Sequence, residues 1–231
     1  MPHAVTNPAP GNDEYVILLH GLVRTPRSMG KLQKSLIDAG YGTCNVGYPS
    51  RSYGVEELVD RFVYPKIEES IPASAGRVHF VTHSLGGIVL RQLLRDHPME
   101  KLGHVVMLSP PNQGSEVVDE LGSWKLFEFI NGPAGQQLGT SPSHLPSRLG
   151  PANWSLGIIT GDRTINPILS SLIPGPDDGK VSVQRAQLEG MADFRVISTS
   201  HPFIMRNDEV IAQVLFFLEN GVFRGGKAPP E

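Results

Sequence analysis

Residues 77–96 of the chain read RVHFVTHSLGGIVLRQLLRD, and the apolar pattern of this stretch changes in its middle. Residues 77–82 form a compact apolar run that is typical of a buried strand. Residues 85–96 carry apolar side chains at helical spacing and stop before Pro98, which predicts a helix. The stretch therefore predicts a strand that turns sharply into a helix, with Ser84 at the turn.

Ser84 stands where a nucleophile elbow, G-x-S-x-G, would place its serine between a strand and a helix. Small neighbours are needed there because the serine occupies a tight, strained turn. Gly86 supplies one of them, whereas Thr82 replaces the first glycine and departs from the pattern. The alternative is an ordinary serine that caps the helix. The strand-to-helix context favours the nucleophile.

The same alternation of short apolar runs and helical patterns extends over most of the chain. Predicted strands cover residues 15–19, 41–48, 77–82, 104–108, 156–160 and 194–198, and predicted helices cover residues 29–39, 55–71, 85–96 and 208–219. Pro65 is expected to kink or divide the second helix. Apolar strands separated by helices predict an α/β fold, with about six mostly parallel strands and helices on both faces.

Residues 112–154 interrupt this alternation between the fourth and fifth predicted strands. Leu121, Trp124, Phe127 and Ile130 are spaced as one face of a short helix. Long insertions in compact domains are usually functional. We therefore expect a small cap over a binding site, with packing on the core as the alternative. Together with Phe129, these side chains indicate an apolar pocket for an acyl group.

The remaining sequence predicts one domain, over residues 15–224, between a loose lead-in at 1–14 and a flexible tail at 225–231. The net charge of −3 and the absence of a basic run argue against a nucleic-acid partner. Cys44 is the one cysteine, so no internal disulfide forms. No signal-like or membrane-spanning run is visible, so we expect a cytoplasmic protein without stable membrane insertion.

A serine nucleophile needs a base and an acid, and parallel strands bring such groups together at their carboxyl ends. His201 follows the last predicted strand and is the best base among the eight histidines. His83 adjoins the serine, but we expect its side chain to point away and pack. Asp178 and Asp162 both follow the fifth strand and precede His201, as the order serine, acid, base requires. Position favours Asp178 and leaves Asp162 as its rival, with Asp177 third.

Two backbone N–H groups are expected to hold the oxyanion that forms when the serine attacks a carbonyl. One belongs to Leu85, the residue after Ser84. The other is assigned to Leu22, because His20-Gly21-Leu22 directly follows the first predicted strand and a glycine lets the backbone turn inward.

These stretches resemble α/β-hydrolase-fold lipases and esterases, particularly small bacterial lipases and the GPI-inositol-deacylase-like group. The matching pieces are His20–Leu22, Thr82–Gly87, Ser109–Ser115, Asp177–Val183 and Ser200-His201, in the order of the family. The resemblance implies that the acid is the aspartate before the glycine, Asp178. It also implies a compact sheet that lacks the first two strands of larger relatives.

The resulting hypothesis is a serine hydrolase that cleaves carboxylic esters through Ser84, Asp178 and His201, without a cofactor or a metal ion. Its partner is expected to be a small-molecule ester or lipid. Thioester hydrolysis, amide hydrolysis and acyl transfer remain alternatives on the same residues, and an inactive binding protein is a further one. The sequence leaves the acyl-chain length and the oligomeric state open.

Overall fold

The computed structural model of the chain describes residues 4–121, 125–165 and 170–225. The strands are β1 Ala4–Thr6, β2 Glu14–Leu19, β3 Gly42–Val46, β4 Arg77–His83, β5 Leu102–Leu108, β6 Leu156–Gly161 and β7 Asp193–Ile197. The helices are α1 Gly30–Asp38, α2 Val55–Leu58, α3 Tyr64–Ser70, α4 Leu85–Asp96, α5 Glu116–Leu121, α6 Lys125–Gln136, α7 Leu145–Arg148, α8 Val183–Ala186 and α9 Asp208–Asn220.

The strands form one seven-stranded sheet in the order β1-β3-β2-β4-β5-β6-β7. All neighbours from β3 to β7 are parallel. Among the described strands, only β1 runs antiparallel, against β3 at the edge of the sheet. The predicted parallel α/β fold is thus confirmed, but β1 is an additional strand. It lies in the segment that was expected to be a loose lead-in.

Apolar residues on the two faces of the sheet form two separate cores. Along β2, Tyr15, Ile17 and Leu19 belong to one core, while Val16 and Leu18 belong to the other. The alternation follows from the period of two residues in a strand. Helices α2, α3 and α4 cover the first face, and α1 and α9 cover the second. This confirms the prediction of helices on both faces.

The predicted helix over residues 55–71 is divided. A single π-helical turn, Val59–Val63, joins α2 to α3. Pro65 follows this turn near the start of α3. Proline lacks a backbone N–H, and its ring clashes with the carbonyl four residues earlier, so the regular hydrogen-bond ladder cannot continue through it. The helix expected over residues 55–71 is therefore divided near Pro65, and the division takes the form of a π-helical turn.

The segment at residues 112–154 folds into the short helices α5, α6 and α7. Gly132 has φ +64° and breaks α6, and a Cβ atom there would lie 1.9 Å from the Arg51 carbonyl oxygen. Only glycine fits at this position. The predicted helical face included Trp124, which lies outside the described residues, as do the side chains of Phe127, Phe129 and Ile130. Among the described helices, none is long and apolar enough to cross a membrane.

Candidate active site

Ser84 lies at the sharp turn between β4 and α4. Its φ of +53° and ψ of −123° place it in a region that side-chain-bearing residues rarely adopt. The Ser84 N–H donates to the Leu108 carbonyl of β5 at 2.9 Å, which fixes the turn to the sheet. The strand-turn-helix context that the sequence predicted for Ser84 is therefore present, with the strain that a nucleophile elbow requires.

Two glycines after Ser84 let α4 pack closely against the sheet. A Cβ atom at residue 86 would lie 2.5 Å from the Leu19 carbonyl oxygen, so Gly86 lets α4 approach the end of β2. A Cβ atom at residue 87 would lie 3.4 Å from Thr82 Oγ1 and 3.2 Å from the Met107 sulfur. Thr82 therefore lies within ordinary contact distance of residue 87, while Pro110 and Met107 leave less room for a side chain there.

Ser84, His201 and Asp178 form a continuous hydrogen-bonded chain. His201 Nε2 lies 3.0 Å from Ser84 Oγ, and His201 Nδ1 lies 2.7 Å from Asp178 Oδ2. His201 and Asp178 are buried, so water competes little for these bonds. Because each ring nitrogen contacts a different partner, the imidazole is oriented with one nitrogen toward the hydroxyl and one toward the carboxylate.

The loop after Asp177 holds the Asp178 carboxylate in place. Asp178 Oδ1 accepts hydrogen bonds from the N–H groups of Lys180 and Val181 at 3.1 and 3.0 Å, and the Asp178 carbonyl accepts one from the His201 N–H at 2.9 Å. Burial by itself raises the pKa of Asp178. The charge and hydrogen bond of His201, with the Val181 N–H, outweigh burial and hold that pKa below its usual value.

The rival acids have other surroundings. Asp162 is exposed after β6, and both ring nitrogens of His201 are taken by Asp178 and Ser84. Asp177 accepts hydrogen bonds from the Gly179 N–H at 2.7 Å and the Ser170 hydroxyl at 2.6 Å. The structure therefore brings Asp178 to the histidine and leaves Asp177 with a role in shaping the loop.

The loop after β2 reaches the elbow through Gly21. A Cβ atom at residue 21 would lie 3.1 Å from Ser84 Cβ and 2.8 Å from His83 Nδ1, so only a glycine permits this approach. Among the described residues, the Leu22 N–H has no hydrogen-bond partner. Leu85 is the first residue of α4, where a backbone N–H has no partner within the helix. Both N–H groups assigned from the sequence thus belong to backbone that borders Ser84.

His20 and Tyr48 fix the loop that carries Leu22. The His20 and Tyr48 rings stack with centroids 4.1 Å apart, and the Tyr48 hydroxyl donates to the His20 carbonyl. His20 Nδ1 lies 2.9 Å from the Gly21 carbonyl oxygen. Burial lowers the pKa of His20 to about 4, so this ring is neutral at physiological pH. No sequence signal pointed to Tyr48, because it is distant from His20 in the chain and is brought to the loop by β3.

His83 is buried, as expected of a packing residue, but its ring lies beside His201 and makes a hydrogen bond that the sequence did not reveal. Its Nε2 lies 3.0 Å from the His201 carbonyl oxygen, and the two rings are 4.9 Å apart. Burial lowers the pKa of His83 well below its usual value, so the ring is neutral and donates from Nε2. His83 thereby ties the loop of His201 to the strand that ends at the elbow.

A cavity of about 360 Å³ opens beside Ser84 and His201. Its apolar wall comes from the insertion and the neighbouring loops. The apolar side chains are those of Leu22, Pro111, Val117, Val118, Leu121, Leu138, Ile165, Val181 and Pro202. Two cationic residues, Arg24 and Lys180, also line it. Neither was predicted from the sequence as a cavity residue, because Arg24 lies outside the matching stretches and Lys180 has no assigned role within Asp177–Val183.

The fold of this chain is also found in solved lipases and esterases. The lipase BlEst2 of Bacillus licheniformis in its mature form has a TM-score of 0.72 and 17% identity, over 95% of this chain and 98% of the lipase. The monoacylglycerol lipase of Paleococcus ferrophilus has a TM-score of 0.60 and 17% identity, over 95% of this chain and 98% of the lipase.

A metagenomic carboxyl esterase, MGS0156, has a TM-score of 0.66 and 18% identity, over 85% of this chain and 67% of the esterase. No protein-family model matches the chain, and no curated protein sequence matches it. With its parallel sheet and these structural neighbours, the chain has the α/β-hydrolase fold of lipases and esterases, as the sequence resemblance implied.

Proposed function

We propose that this protein is a serine hydrolase that cleaves carboxylic esters, with Ser84 as nucleophile, His201 as base and Asp178 as the acid of the triad. One observation carries the proposal: Ser84 Oγ, on a strained elbow, lies 3.0 Å from the ring of a histidine whose other nitrogen lies 2.7 Å from a buried carboxylate. This is the geometry in which a hydroxyl becomes a nucleophile.

In the first half of the reaction, Ser84 Oγ attacks the ester carbonyl and its proton passes to His201 Nε2. The Asp178 carboxylate stabilises the imidazolium that forms and keeps the ring oriented. The N–H groups of Leu22 and Leu85 donate to the oxyanion of the tetrahedral intermediate. When the intermediate collapses, His201 Nε2 gives its proton to the leaving alcohol, and the acyl group stays on Ser84.

In the second half, a water molecule attacks the acyl-enzyme. His201 Nε2 accepts a proton from the water, and the same backbone N–H groups hold the second oxyanion. The carboxylic acid then leaves, and the proton returns to Ser84 Oγ. The net reaction consumes one ester and one water and yields one acid and one alcohol.

The cavity supports a small-molecule ester or lipid as substrate. Val117, Val118 and Leu121 of α5 and Leu138 after α6 contribute to its apolar wall, which suits an acyl chain. In this proposal the insertion at residues 112–154 acts as a cap that covers the acyl group. The structural neighbours are lipases and a carboxyl esterase, which supports this choice of chemistry.

The direct test is the hydrolysis of p-nitrophenyl butyrate by the Ser84→Ala variant. We expect turnover to fall by about 10⁵-fold or more while the circular dichroism spectrum is unchanged. Ser35→Ala is the matched control, because the Ser35 hydroxyl lies on α1 and bonds only the Lys31 carbonyl in the described structure. Full activity of the Ser84→Ala variant would contradict the proposal.

A second assay separates esters from the other acyl substrates. Butyrate esters, thioesters and anilides of matched leaving groups are compared by kcat/KM, and we expect the oxygen esters to lead. Esters of increasing acyl length then measure the reach of the cavity. A larger kcat/KM for the thioester or the anilide would move the reaction to that class while keeping the same three residues.

A further inference from the structure

Two cations line the cavity that contains Ser84. Arg24 comes from the loop after β2, two residues beyond the proposed oxyanion donor Leu22, and Lys180 comes from the loop that holds Asp178. Arg24 is half-buried and Lys180 is exposed, so part of each residue is accessible to solvent. Two separate loops thus bring positive charge to the same cavity.

Neither cation has an anionic partner of its own. Among the described residues, no carboxylate forms an ion pair with Arg24 or Lys180. Asp178 lies near Lys180, but its carboxylate is engaged with His201. Partial desolvation at the cavity wall and then the charge of Arg24 lower the pKa of Lys180, while Asp178 raises it. The two cations therefore line one cavity, and no described carboxylate is reserved for either of them.

The cations come from a different part of the cavity wall than α5. Helix α5 and Leu138 after α6 contribute apolar side chains, whereas the loops after β2 and β6 contribute the cations together with the apolar Leu22, Ile165 and Val181. Placing two like charges together is unfavourable unless a ligand brings the opposite charge. Guanidinium and ammonium groups bind phosphate and carboxylate through charge-assisted hydrogen bonds.

We propose that the ester substrate carries an anionic group, a phosphate or a carboxylate, on its alcohol part, and that Arg24 and Lys180 bind this group while the acyl chain contacts α5 and Leu138. The inference rests on the proposed ester hydrolysis and names its substrate class. Specificity for the alcohol would then come from charge, and tolerance of the acyl chain from apolar contact.

If the cations stabilised the oxyanion instead, their removal would change the kinetic constants in a different way. Positive charge beside Ser84 also stabilises the oxyanion, which forms with every ester. Loss of that effect would lower kcat for neutral and anionic esters alike. Loss of an anion site would lower kcat/KM for the anionic ester alone. The ratio of the two kcat/KM values therefore separates the two roles.

The test uses two matched pairs of soluble esters. The first pair is 1-butyryl-glycerol 3-phosphate and 1-butyryl-glycerol, and the second is butyryl-glycolate and butyryl-glycolamide. Acid release is followed in a pH-stat. We expect the anionic member of at least one pair to react with a kcat/KM about tenfold higher, since one charge-assisted contact contributes on that order. The preference should decline as salt is added.

Variants assign the preference to the two residues. Arg24→Gln and Lys180→Gln should each reduce the ratio of anionic to neutral kcat/KM, and the double variant should abolish it. Arg27→Gln is the matched control, because Arg27 is exposed three residues further along and does not line the cavity. In that variant the ratio should equal the wild-type value.

Each outcome of these assays either supports or overturns the proposed anion site. A preference for both anions supports a general anion site, and a preference for one pair alone identifies phosphate or carboxylate as the group. Equal kcat/KM within both pairs would overturn the inference and leave ester hydrolysis standing. A preference that survives the double variant would also overturn it. If no ester is hydrolysed and a fluorophosphonate does not label Ser84, the proposed function itself fails.

Discussion

Both ends of the sheet hold a buried histidine near a carboxylate, and only one end resembles a catalytic site. At the carboxyl end, His201 Nδ1 lies 2.7 Å from Asp178 and its Nε2 lies 3.0 Å from a serine hydroxyl. At the amino end, His79 Nε2 lies 3.5 Å from Glu14 Oε2, and His79 Nδ1 accepts a hydrogen bond from the His104 N–H at 2.9 Å.

The difference lies in what the second ring nitrogen faces. Because a backbone N–H is always a donor, His79 Nδ1 is unprotonated. Its lone pair accepts the hydrogen bond that joins β4 to β5, so this nitrogen is not available to a nucleophile. Burial, then the charges of His104 and Arg77, lower the pKa of His79 to about 4, so the ring is neutral. A histidine and a carboxylate in proximity are therefore insufficient. Catalysis also needs a free imidazole nitrogen directed at a nucleophile.

The largest difference in activity is expected when histidine is replaced by asparagine at one end of the sheet or at the other. His201→Asn removes the base and should lower the kcat for p-nitrophenyl butyrate by about 10⁵-fold or more. His79→Asn keeps an acceptor for the His104 N–H and should retain activity within a few-fold of wild type. Steady-state kinetics on both variants, with unfolding curves as a folding control, check this pair. Comparable losses at the two positions would contradict the comparison.

The carboxylates provide the next test. Asp178→Asn preserves the shape of the side chain but no longer stabilises the imidazolium, and we expect kcat to fall by about 10⁴-fold. Glu14→Gln changes the corresponding carboxylate at the amino end, and kcat should not change measurably. If Asp178→Asn keeps most of the activity while Asp162→Asn loses it, the exposed rival acid is the true partner.

The smallest effect concerns stability and pH. The pKa of His79 is about 4 in the folded protein and about 6.5 when unfolded, so between these values the unfolded chain binds more protons. Stability is therefore lost as the pH falls through this window, by about 2 kcal/mol for this histidine at pH 5. Urea unfolding at pH 7 and pH 5 should show a smaller loss in His79→Asn. An equal loss in both proteins would contradict the assignment of the pKa shift.

Most of the fold was predictable because each long element carries its own periodic signal. The central strands are apolar throughout, and α4 and α9 have clear apolar stripes between start and stop signals. The edge strand β1 was missed because it has only three residues and pairs with β3 some forty positions away. A segment this short shows no period, and only its partner makes it a strand.

The candidate site also contains residues that the sequence predicted and residues that it did not. Ser84 and His201 follow strands directly, so the topology alone placed them at one edge. Position and the family resemblance favoured Asp178 over Asp162, and the loop gives the physical reason, because its backbone turns one carboxylate inward and leaves the other exposed. Arg24 and Lys180 lie about 150 residues apart and meet only through the fold. No local sequence pattern predicts that these two residues line the same cavity.

The central claim is that Ser84 is an activated nucleophile, and covalent labelling tests it most directly. The native protein is incubated with a fluorophosphonate and digested, and the modified peptide is identified by mass spectrometry. We predict one adduct, on Ser84, and no labelling in the His201→Asn variant. A native, folded protein that stays unlabelled, or one whose adduct lies on another serine, would contradict the account.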